Sequence, residues 1–468
     1  MIRTQVVVIG GGPGGYAAAF LAADLGLTTA LVDPEVNPGG VCVYRGCIPS
    51  KALLHIARLL GETRHAEAWG VTFGEPTIDL AKLRTFKDTV VRRLTSGTGL
   101  LARSRKVQYV QGHAELVDPH TLGVKLTAGG EEMITFEHAI IATGSVPAIP
   151  ASLRLNDPRV MDSTSALDLP DIPKTMLVVG GGYIGLELGS VYAALGAAVS
   201  VVEMTDGLLP GADRDLVDVL AKSIGKLMKD VWLKTSVTKL AAEAAGIRVT
   251  FDGQPERVFD RVLVAVGRRP NASVPGLDRT RVALDQRGFI VHDEQLRTPE
   301  PSIFAIGDVA GEPMLAHKAS HEGRTAVEVI AGHKAAFLPK AIPAVVFTDP
   351  ELAWAGLTEA QAQKAGQAVA VAKFPWAASG RALTLDRADG LTKLIVDPKT
   401  ERILGVGLVG PNAGELIAEG VLAIEMGANV TDLKLSIHPH PTLTETLMES
   451  AEVFFGQSTH VFKPKRRT

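Results

Sequence analysis

The sequence lacks three features that would place it in other classes of protein. No uninterrupted apolar run approaches the ~20 residues needed to cross a bilayer, so we expect no membrane span. The formal charge is only -3, which gives no reason to expect nucleic acid or an acidic membrane as a partner. The start, Met1–Gly10, lacks the long apolar region and the cleavage site of a signal peptide. We therefore expect a cytoplasmic protein that works in a reducing compartment.

Cysteine is also scarce, and the chain's two cysteines lie close together, at Cys42 and Cys47. Random placement would bring two cysteines this close in only about one sequence in fifty. They could be two small buried hydrophobic residues, but a close pair in a reducing compartment is more often catalytic. On a regular helix their Cα atoms would lie roughly 8 to 9 Å apart, beyond the ~7 Å limit for a disulfide. A bonded pair therefore needs a distorted turn, and the residues that could supply it are Gly39, Gly40, Gly46 and Pro49.

An apolar pattern at helical spacing begins just after the cysteines and includes Leu53, Ile56 and Leu60. The pattern places Cys42 and Cys47 at or just before the N-terminal end of a helix. Because that end of a helix favours anions, a thiolate there would have a lowered pKa and would be reactive.

A dinucleotide-binding pattern occurs near the start of the chain. A strand precedes Gly10, Gly12 and Gly15, a helix follows them, and Asp33 ends the next strand 21 residues beyond Gly12. Such glycines let the backbone approach a pyrophosphate at the helix N-terminus, and the acid accepts hydrogen bonds from a ribose. The simpler alternative is a tight glycine turn with a surface Asp.

The same pattern returns with Gly180, Gly182 and Gly185, and Glu203 follows at the same spacing. Here we predict a helix over Leu186–Leu195 and a strand over Ala198–Val202. Two copies indicate two dinucleotides, or one site and a decayed copy, and with a cysteine pair between them we favour two cofactors. Glu203 would repel a 2′-phosphate, and the following Met204–Asp206 offers no Arg to bind one. The second site therefore favours NAD over NADP.

The length of 468 residues predicts about three domains or subdomains. Between the two fingerprints, residues 80–105 form a charged stretch with a helical pattern. Strand-like segments that end in turns lie at 139–145, 262–267 and 303–308, the last with Asp308 at its tip, which could simply cap the next element. From about residue 342 the chain contains neither fingerprint nor cysteine, so by elimination it forms a packing or partner domain. We assign no metal site, and we expect the basic tail at 463–467 to be solvated.

Near the C-terminus, prolines on both sides hold His440 on a rigid loop. Glu445 could complete a capping box with Thr442 for a following helix. It could instead fix the tautomer of His440, so that the imidazole shuttles protons for a thiol. The two interpretations stay open, and one Glu could serve both.

Together these motifs resemble, over the whole chain, the FAD-dependent pyridine nucleotide-disulfide oxidoreductases, and within them the enzymes that oxidise dihydrolipoyl groups. The motifs that carry the resemblance lie at 10–15, 39–51, 142–145, 180–187, 266–268, 305–308, 314–318 and 440–442. The resemblance implies an α/β fold with two Rossmann-like dinucleotide-binding domains and a C-terminal α+β dimerisation domain. The implied parts are an FAD-binding domain (1–147), an NAD-binding domain (148–272), a central part that completes the FAD-binding region (273–341) and an interface domain (342–468).

The resemblance also implies the residues of each site. The FAD-binding residues would be Gly10, Gly12, Gly15, Asp33, Gly40, Val41, Lys51, Ala114, Thr143, Gly144, Ser145, Asp308 and Ala316. The NAD-binding residues would be Gly180, Gly182, Gly185, Glu203, Val237, Gly267 and Arg268. Lys51 and Glu187 would pair near the flavin. In a homodimer, His440 and Glu445 would reach the cysteines of the other subunit.

The implied reaction begins when a dihydrolipoyl thiol, deprotonated by His440, attacks Cys42. Cys47 leaves as a thiolate, and electrons pass through FAD to NAD. The implied partner is a lipoyl-bearing protein of a 2-oxoacid dehydrogenase-type complex or another lipoyl carrier. Two alternatives remain: a related NAD(P)H-dependent reductase of another disulfide, and a non-catalytic NADH-sensing or scaffolding subunit. The sequence departs from the family pattern at Tyr44 and Arg45, where Arg45 could add positive charge that stabilises a thiolate.

Overall fold

Five β-sheets with helices packed against them make up the chain, and a computed structural model describes residues 1–462. The basic tail at 463–467 lies outside the described residues. The strands are β1 (Ile2–Ile9), β2 (Thr29–Asp33), β3 (Gln108–Asp118), β4 (Thr121–Leu126), β5 (Glu131–Ile141), β6 (Ser145–Pro147), β7 (Val160–Met161), β8 (Thr175–Val179), β9 (Ala198–Val202), β10 (Asp230–Trp232), β11 (Val237–Glu243), β12 (Gly246–Phe251), β13 (Arg257–Phe259), β14 (Arg261–Val264), β15 (Arg268–Pro270), β16 (Ile303–Ala305), β17 (Ala344–Val346), β18 (Glu351–Gly356), β19 (Ala370–Pro375), β20 (Leu391–Val396) and β21 (Ile403–Gly410). The helices are α1 (Pro13–Asp24), α2 (Gly40–Arg45), α3 (Cys47–His65), α4 (Leu80–Ser104), α5 (Ser163–Leu167), α6 (Tyr183–Ala194), α7 (Arg214–Leu227), α8 (Ala316–Ile330), α9 (Glu359–Ala365), α10 (Gly380–Thr384), α11 (Ala413–Met426), α12 (Val430–Leu435) and α13 (Glu445–Phe455).

The first sheet has parallel strands in the order β3-β2-β1-β5-β16, and β4 joins β3 to β5 as an antiparallel meander. Its central strand β1 is apolar and fully buried from Val6 to Val8, as expected for a strand covered on both faces. Chain order reverses at β1, because β2 lies on one side of it and β5 on the other. In open α/β sheets, ligands bind outside the carboxyl ends of the strands at such a reversal.

The second sheet repeats this arrangement with the parallel order β10-β9-β8-β14-β7. Its order reverses at β8, the strand that leads into the second glycine fingerprint. A three-stranded antiparallel sheet, β11-β12-β13, lies beside it. The two fingerprints therefore occupy equivalent places in two similar sheets.

The third large sheet is antiparallel, in the order β17-β18-β21-β20-β19, with α11 and α13 packed on it. Trp376 and Phe374 fill its core, and the buried indole N–H of Trp376 donates to Thr392 Oγ1 at 2.8 Å. This architecture confirms the predicted α/β class with two Rossmann-like units and a C-terminal α+β domain.

A two-stranded sheet joins the first two units. The chain passes from the first sheet into β6 and comes back from the second sheet through β15, and these strands pair antiparallel, with Arg269 opposite Val146. Next to this joint, Thr143 Oγ1 donates to the carbonyl of Asn271 at 2.7 Å. The joint therefore lies directly beside the turn that ends β5.

Most element bounds follow the sequence prediction within a few residues. The helix predicted at 80–105 is α4, and the strand predicted at Ala198–Val202 is β9 with the same ends. The helix predicted from Leu186 begins earlier, at Tyr183, directly after Gly182. Within residues 1–462, no helix combines the length and the apolar character needed to cross a membrane.

Candidate active site

The two cysteines lie on consecutive helices, Cys42 within α2 and Cys47 as the first residue of α3. Gly46 separates the helices with φ -145° and ψ -117°, a backbone conformation outside the helical region. A Cβ at Gly46 would lie 2.8 Å from the carbonyl oxygen of Val41. This break is the distorted turn that the sequence predicted, and Cys47 is at a helix N-terminus as expected. Both cysteines are free thiols in this structure.

A hydrogen bond between the two thiols makes them chemically different. This hydrogen bond raises the pKa of Cys42, and burial of the Cys42 thiol raises it further. The same hydrogen bond lowers the pKa of Cys47 to about 7. The positive charge of Lys51 also lowers the pKa of Cys47. Cys47 is therefore the thiol of the pair that ionises more readily near neutral pH.

Lys51 follows Cys47 by one helical turn and joins three parts of the chain. Its Nζ donates to Glu187 Oε2 at 2.8 Å, and Glu187, on α6, is only 3% exposed. The other oxygen of Glu187 accepts a hydrogen bond from the backbone N–H of Phe347 at 3.0 Å. The ammonium group lies 4.4 Å from the centre of the Phe347 ring. This arrangement holds the Lys51 charge close to Cys47.

A cavity of about 570 Å³ opens beside the cysteines, within the usual ~300–1,000 Å³ range of ligand sites. Both cysteines, Lys51 and Glu187 line it. Twelve of the thirteen residues predicted for FAD also line it: Gly10, Gly12, Asp33, Gly40, Val41, Lys51, Ala114, Thr143, Gly144, Ser145, Asp308 and Ala316. Gly15, the thirteenth, lies at the turn behind, where a Cβ would be only 1.8 Å from the carbonyl oxygen of Gly10. Gly15 thus permits the close approach of α1 to the glycine turn.

The part of the cavity that the first glycine fingerprint and Asp33 line fits a dinucleotide. Within residues 1–462, no side chain caps the N-terminus of α1, so its backbone N–H groups are free to bind an anion. Asp33 Oδ2 accepts from the N–H of Gly11 at 2.5 Å and Oδ1 from the N–H of Glu35 at 2.9 Å, while burial raises its pKa. Gly40, with φ +57°, brings α2 so close that a Cβ would lie 2.4 Å from Gly12 Cα. These residues would hold FAD.

The second fingerprint is built in the same way. Glu203 Oε2 accepts from the N–H of Gly181 at 2.7 Å and Oε1 from the N–H of Thr205 at 2.8 Å. Gly180 and Gly182 form the turn before α6, and Gly185 lies in its first turn. This identical geometry argues for a second functional dinucleotide site and against a decayed copy.

The other three residues predicted for NAD lie outside the fingerprint turn. Val237 begins β11 and packs against the core between the second sheet and the three-stranded sheet. Gly267 directly precedes β15, and Arg268, its first residue, lines the first cavity together with Ser145 and Asp308.

His440 and Glu445 interact as a pair. Glu445 Oε1 lies 2.9 Å from His440 Nδ1, and Oε2 accepts from the N–H of Thr442 at 2.8 Å. Only this half of the capping box forms, because α13 begins at Glu445 and Thr442 Oγ1 donates to the carbonyl of Pro439. Glu445 thus contacts both His440 and the N–H of Thr442, the two partners that the sequence left open. The imidazole is 74% exposed and does not line the cavity in its own subunit.

The structure corrects the interpretation of Arg45 and adds residues that the sequence did not signal. Arg45 pairs with Glu35 where both line the cavity, so its charge is neutralised there and is not directed at a thiolate.

Tyr44 OH interacts with the backbone of Asn37, at 3.2 Å from N and 3.0 Å from O. Phe347 had no local signal, because it meets Lys51 only through long-range folding.

Comparison with known proteins extends this picture to the whole chain. The family model described as pyridine nucleotide-disulphide oxidoreductase matches residues 4–323, and the dimerisation domain of that family matches residues 342–451. A dihydrolipoyl dehydrogenase of Haemophilus influenzae is 48% identical, with 100% of this chain and 98% of the relative covered. One from Vibrio cholerae is 47% identical, with 100% and 98% covered.

Solved structures agree with this assignment. LpdA from Mycobacterium tuberculosis superimposes with a TM-score of 0.89 at 27% identity, covering 97% of this chain and 99% of that chain. The HOCl-induced flavoprotein disulfide reductase RclA from Escherichia coli gives 0.86 at 29% identity, covering 96% and 99%. The matched dimerisation domain supports a homodimer, and the family uses FAD and NAD(H). The paired cysteines, the two dinucleotide sites and these matches together make the chain a member of the pyridine nucleotide-disulphide oxidoreductase family.

Proposed function

We propose that this protein oxidises dihydrolipoyl groups to lipoyl groups and reduces NAD+, with FAD as its resident cofactor. The relatives that match its whole length at 47 to 48% identity carry the name of this activity. The observation that carries the proposal is the Cys42–Cys47 pair, which lines the same cavity as the first glycine fingerprint and in which the pKa of Cys47 is lowered. This set of residues argues against the non-catalytic alternative, because a scaffold needs no acidified thiol.

The proposed chemistry at sulfur begins from the oxidised pair. A substrate thiolate attacks Cys42 Sγ, the Cys42–Cys47 bond breaks, and Cys47 leaves as a thiolate. The second substrate thiol then attacks the mixed disulfide, forms the substrate's own S–S bond and releases Cys42 as a thiol. The substrate has lost two electrons and the cysteine pair has gained them. When bound, FAD supplies the two-electron chemistry that connects the reduced pair to NAD+.

The acid–base chemistry falls to the neighbours of this pair. A lowered pKa makes Cys47 the better leaving group, because weaker thiolate bases leave faster. Lys51 and the N-terminus of α3 stabilise the thiolate that results.

We assign the role of base for the substrate thiols to His440 of the partner subunit. Glu445 accepts a hydrogen bond from the Nδ1–H group of His440, which leaves Nε2 to take a proton, the arrangement that general-base catalysis requires. The high exposure of the imidazole supports a role toward a second chain. Each active site would then need both subunits.

The proposed partner is a lipoyl-bearing protein of a 2-oxoacid dehydrogenase-type complex or another lipoyl carrier, and the proposed location is the cytoplasm. NAD is the proposed nicotinamide, since the hydrogen bond from the Gly181 N–H holds the Glu203 carboxylate at the fingerprint turn, where it would repel a 2′-phosphate. A reductase of another disulfide is the second candidate, which the similarity to RclA favours.

The test compares two half-reactions in the purified FAD-loaded dimer. Dihydrolipoamide should reduce the flavin without oxygen and give a long-wavelength band from the Cys47 thiolate, and NAD+ should support turnover better than NADP+. Replacing His440→Gln should slow dithiol oxidation far more than NADH oxidation by a dye. Equal slowing of both reactions would remove His440 as the base, and failure of dihydrolipoamide to reduce the flavin would refute the proposed function.

A further inference from the structure

The guanidinium group of Arg268 connects the domain joint to the first cavity. Arg268 is the first residue of β15, on which the chain comes back from the second sheet, and Ser145 is the first residue of β6. Arg268 Nε donates to Ser145 Oγ at 2.7 Å, and Nη2 donates to the Ser145 carbonyl at 2.8 Å. Ser145 Oγ in turn donates to Asp308 Oδ2 at 2.5 Å. The three side chains form one chain of hydrogen bonds.

The direction of each hydrogen bond follows from the groups involved. An arginine side chain can only donate, so Ser145 Oγ must accept from Arg268 and use its single proton toward Asp308. Ser145 is only 3% exposed, so its hydroxyl has little access to water as an alternative partner. Arg268 therefore sets the orientation of the Ser145 hydroxyl, and the hydroxyl sets the orientation of the Asp308 carboxylate. Among the residues that the structure describes, no donor contacts the other oxygen of Asp308, Oδ1, so it can accept from a ligand in the cavity that Asp308 lines.

We propose that Arg268 is a positioning residue for FAD, acting on Asp308 through Ser145, and not a ligand of NAD. This inference rests on the proposed binding of FAD in the first cavity. Arg268 belongs to the strand that ends the second unit, while Asp308 follows β16 of the first sheet. The affinity for FAD therefore depends on a residue contributed by the NAD-binding side of the joint.

A purely structural role for Arg268 would be to stabilise the pairing of β6 with β15. The two roles predict different FAD affinities when Arg268 and Ser145 are both substituted. The losses of affinity add in free energy if the two residues act independently, and they do not add if one acts through the other. If Arg268 acts through Ser145, its removal should matter little once the Ser145 hydroxyl is gone. The neighbouring Arg269 is exposed and lies on the same short strand, so Arg269→Met is the matched control.

The experiment measures FAD affinity by refilling the cofactor-free form of each full-length variant and following flavin fluorescence. Arg268→Met and Ser145→Ala should each weaken FAD binding by about tenfold, as expected for one charge-assisted hydrogen bond. The double variant should bind FAD no more than about threefold less tightly than the single variant with the lower affinity. Arg269→Met should bind FAD like the unaltered protein.

The inference would be overturned if the fold-losses of FAD affinity in the two single variants multiply in the double variant. It would also be overturned if Arg268→Met and Arg269→Met lose equal affinity. If Arg268→Met does not fold, Arg268→Lys replaces it, because lysine keeps a donor for Ser145 but loses the two-pronged contact. We expect Arg268→Lys to lose affinity less than Ser145→Ala and to lose none in the Ser145→Ala background. Failure of the unaltered protein to bind FAD would refute the proposed function, whereas normal binding by Arg268→Met and Arg268→Lys refutes only this inference.

Discussion

Removing the Cys42 thiol should make Cys47 less acidic, because the hydrogen bond from Cys42 is the largest cause of the lowered pKa of Cys47. Cys42→Ala deletes the donor, whereas Cys42→Ser keeps a hydroxyl in its place. The chain has only two cysteines, so Cys47 is the single thiol in either variant and every thiol signal belongs to it. The two variants are therefore a matched pair that differ in one hydrogen-bond donor.

The size of the effect follows from the two pKa values. With a pKa of about 7, half of Cys47 is thiolate at pH 7, and a return to the ordinary value of 9.0 would leave roughly 1%, about fifty-fold less. A more basic thiolate is intrinsically more nucleophilic, by about six- to tenfold over two pKa units. The net expectation is a rate of alkylation roughly five- to eightfold slower at pH 7 in Cys42→Ala than in Cys42→Ser.

The assay follows iodoacetamide modification of the FAD-loaded variants from pH 5 to pH 10. Because a lowered pKa extends the thiolate form to lower pH, the midpoint should lie near 7 in Cys42→Ser and well above it in Cys42→Ala. Denatured samples of both variants give the reactivity of an unperturbed thiol as the control. Coincident pH profiles for the two folded variants would refute the claim that the thiol–thiol hydrogen bond acidifies Cys47.

Other substitutions test the charges around the site. Glu203→Ala should relax the preference for NAD, and an unchanged ratio of kcat/KM for NAD+ and NADP+ would remove that residue from cofactor selection. Lys51→Met should raise the pKa of Cys47 and, by leaving Glu187 buried without its partner, lower the thermal midpoint. Lys51→Met with Glu187→Gln should recover the midpoint but only part of the pKa, because the negative charge of Glu187 itself raises the pKa of Cys47. Full recovery of both would contradict the assigned role of the Lys51 charge. Lys393, 1% exposed, pairs with the buried Asp213, so Lys393→Met should cost about 3–5 kcal/mol of stability by thermal unfolding. Lys393→Met with Asp213→Asn should cost less, and a greater loss in the double variant would show that the cluster is not held by charge pairing.

Much of the fold was predictable because its signals are local. The prediction of a strand at Ala198–Val202 needed only its own apolar residues and the glycines around it. The strand has the same ends in the structure. The fingerprint acids Asp33 and Glu203 were recognised by spacing, and each accepts hydrogen bonds from its own glycine turn and from a residue two positions ahead.

The candidate site was only partly predictable, because several of its contacts join distant parts of the chain. Glu187 meets Phe347, 160 positions away, and Arg268 meets Ser145, 123 positions away. Arg45 was expected to act on a thiolate, but the fold brings it to Glu35. A long charged side chain can reach several partners from one backbone position, so its sequence neighbours do not identify which partner it binds.

The amino-acid sequence by itself determined the two nucleotide-binding turns, the close cysteine pair and the α/β class, since hydrophobic periodicity, glycine conformations and short spacings act within a few residues. The tertiary structure alone decided that Cys47 is the more acidic sulfur, that Phe347 contacts the Lys51–Glu187 pair, and where Arg268 and Arg45 direct their charge. Burial and charge pairing depend on groups brought together from separate domains, and these interactions set the pKa values and orientations on which the chemistry depends.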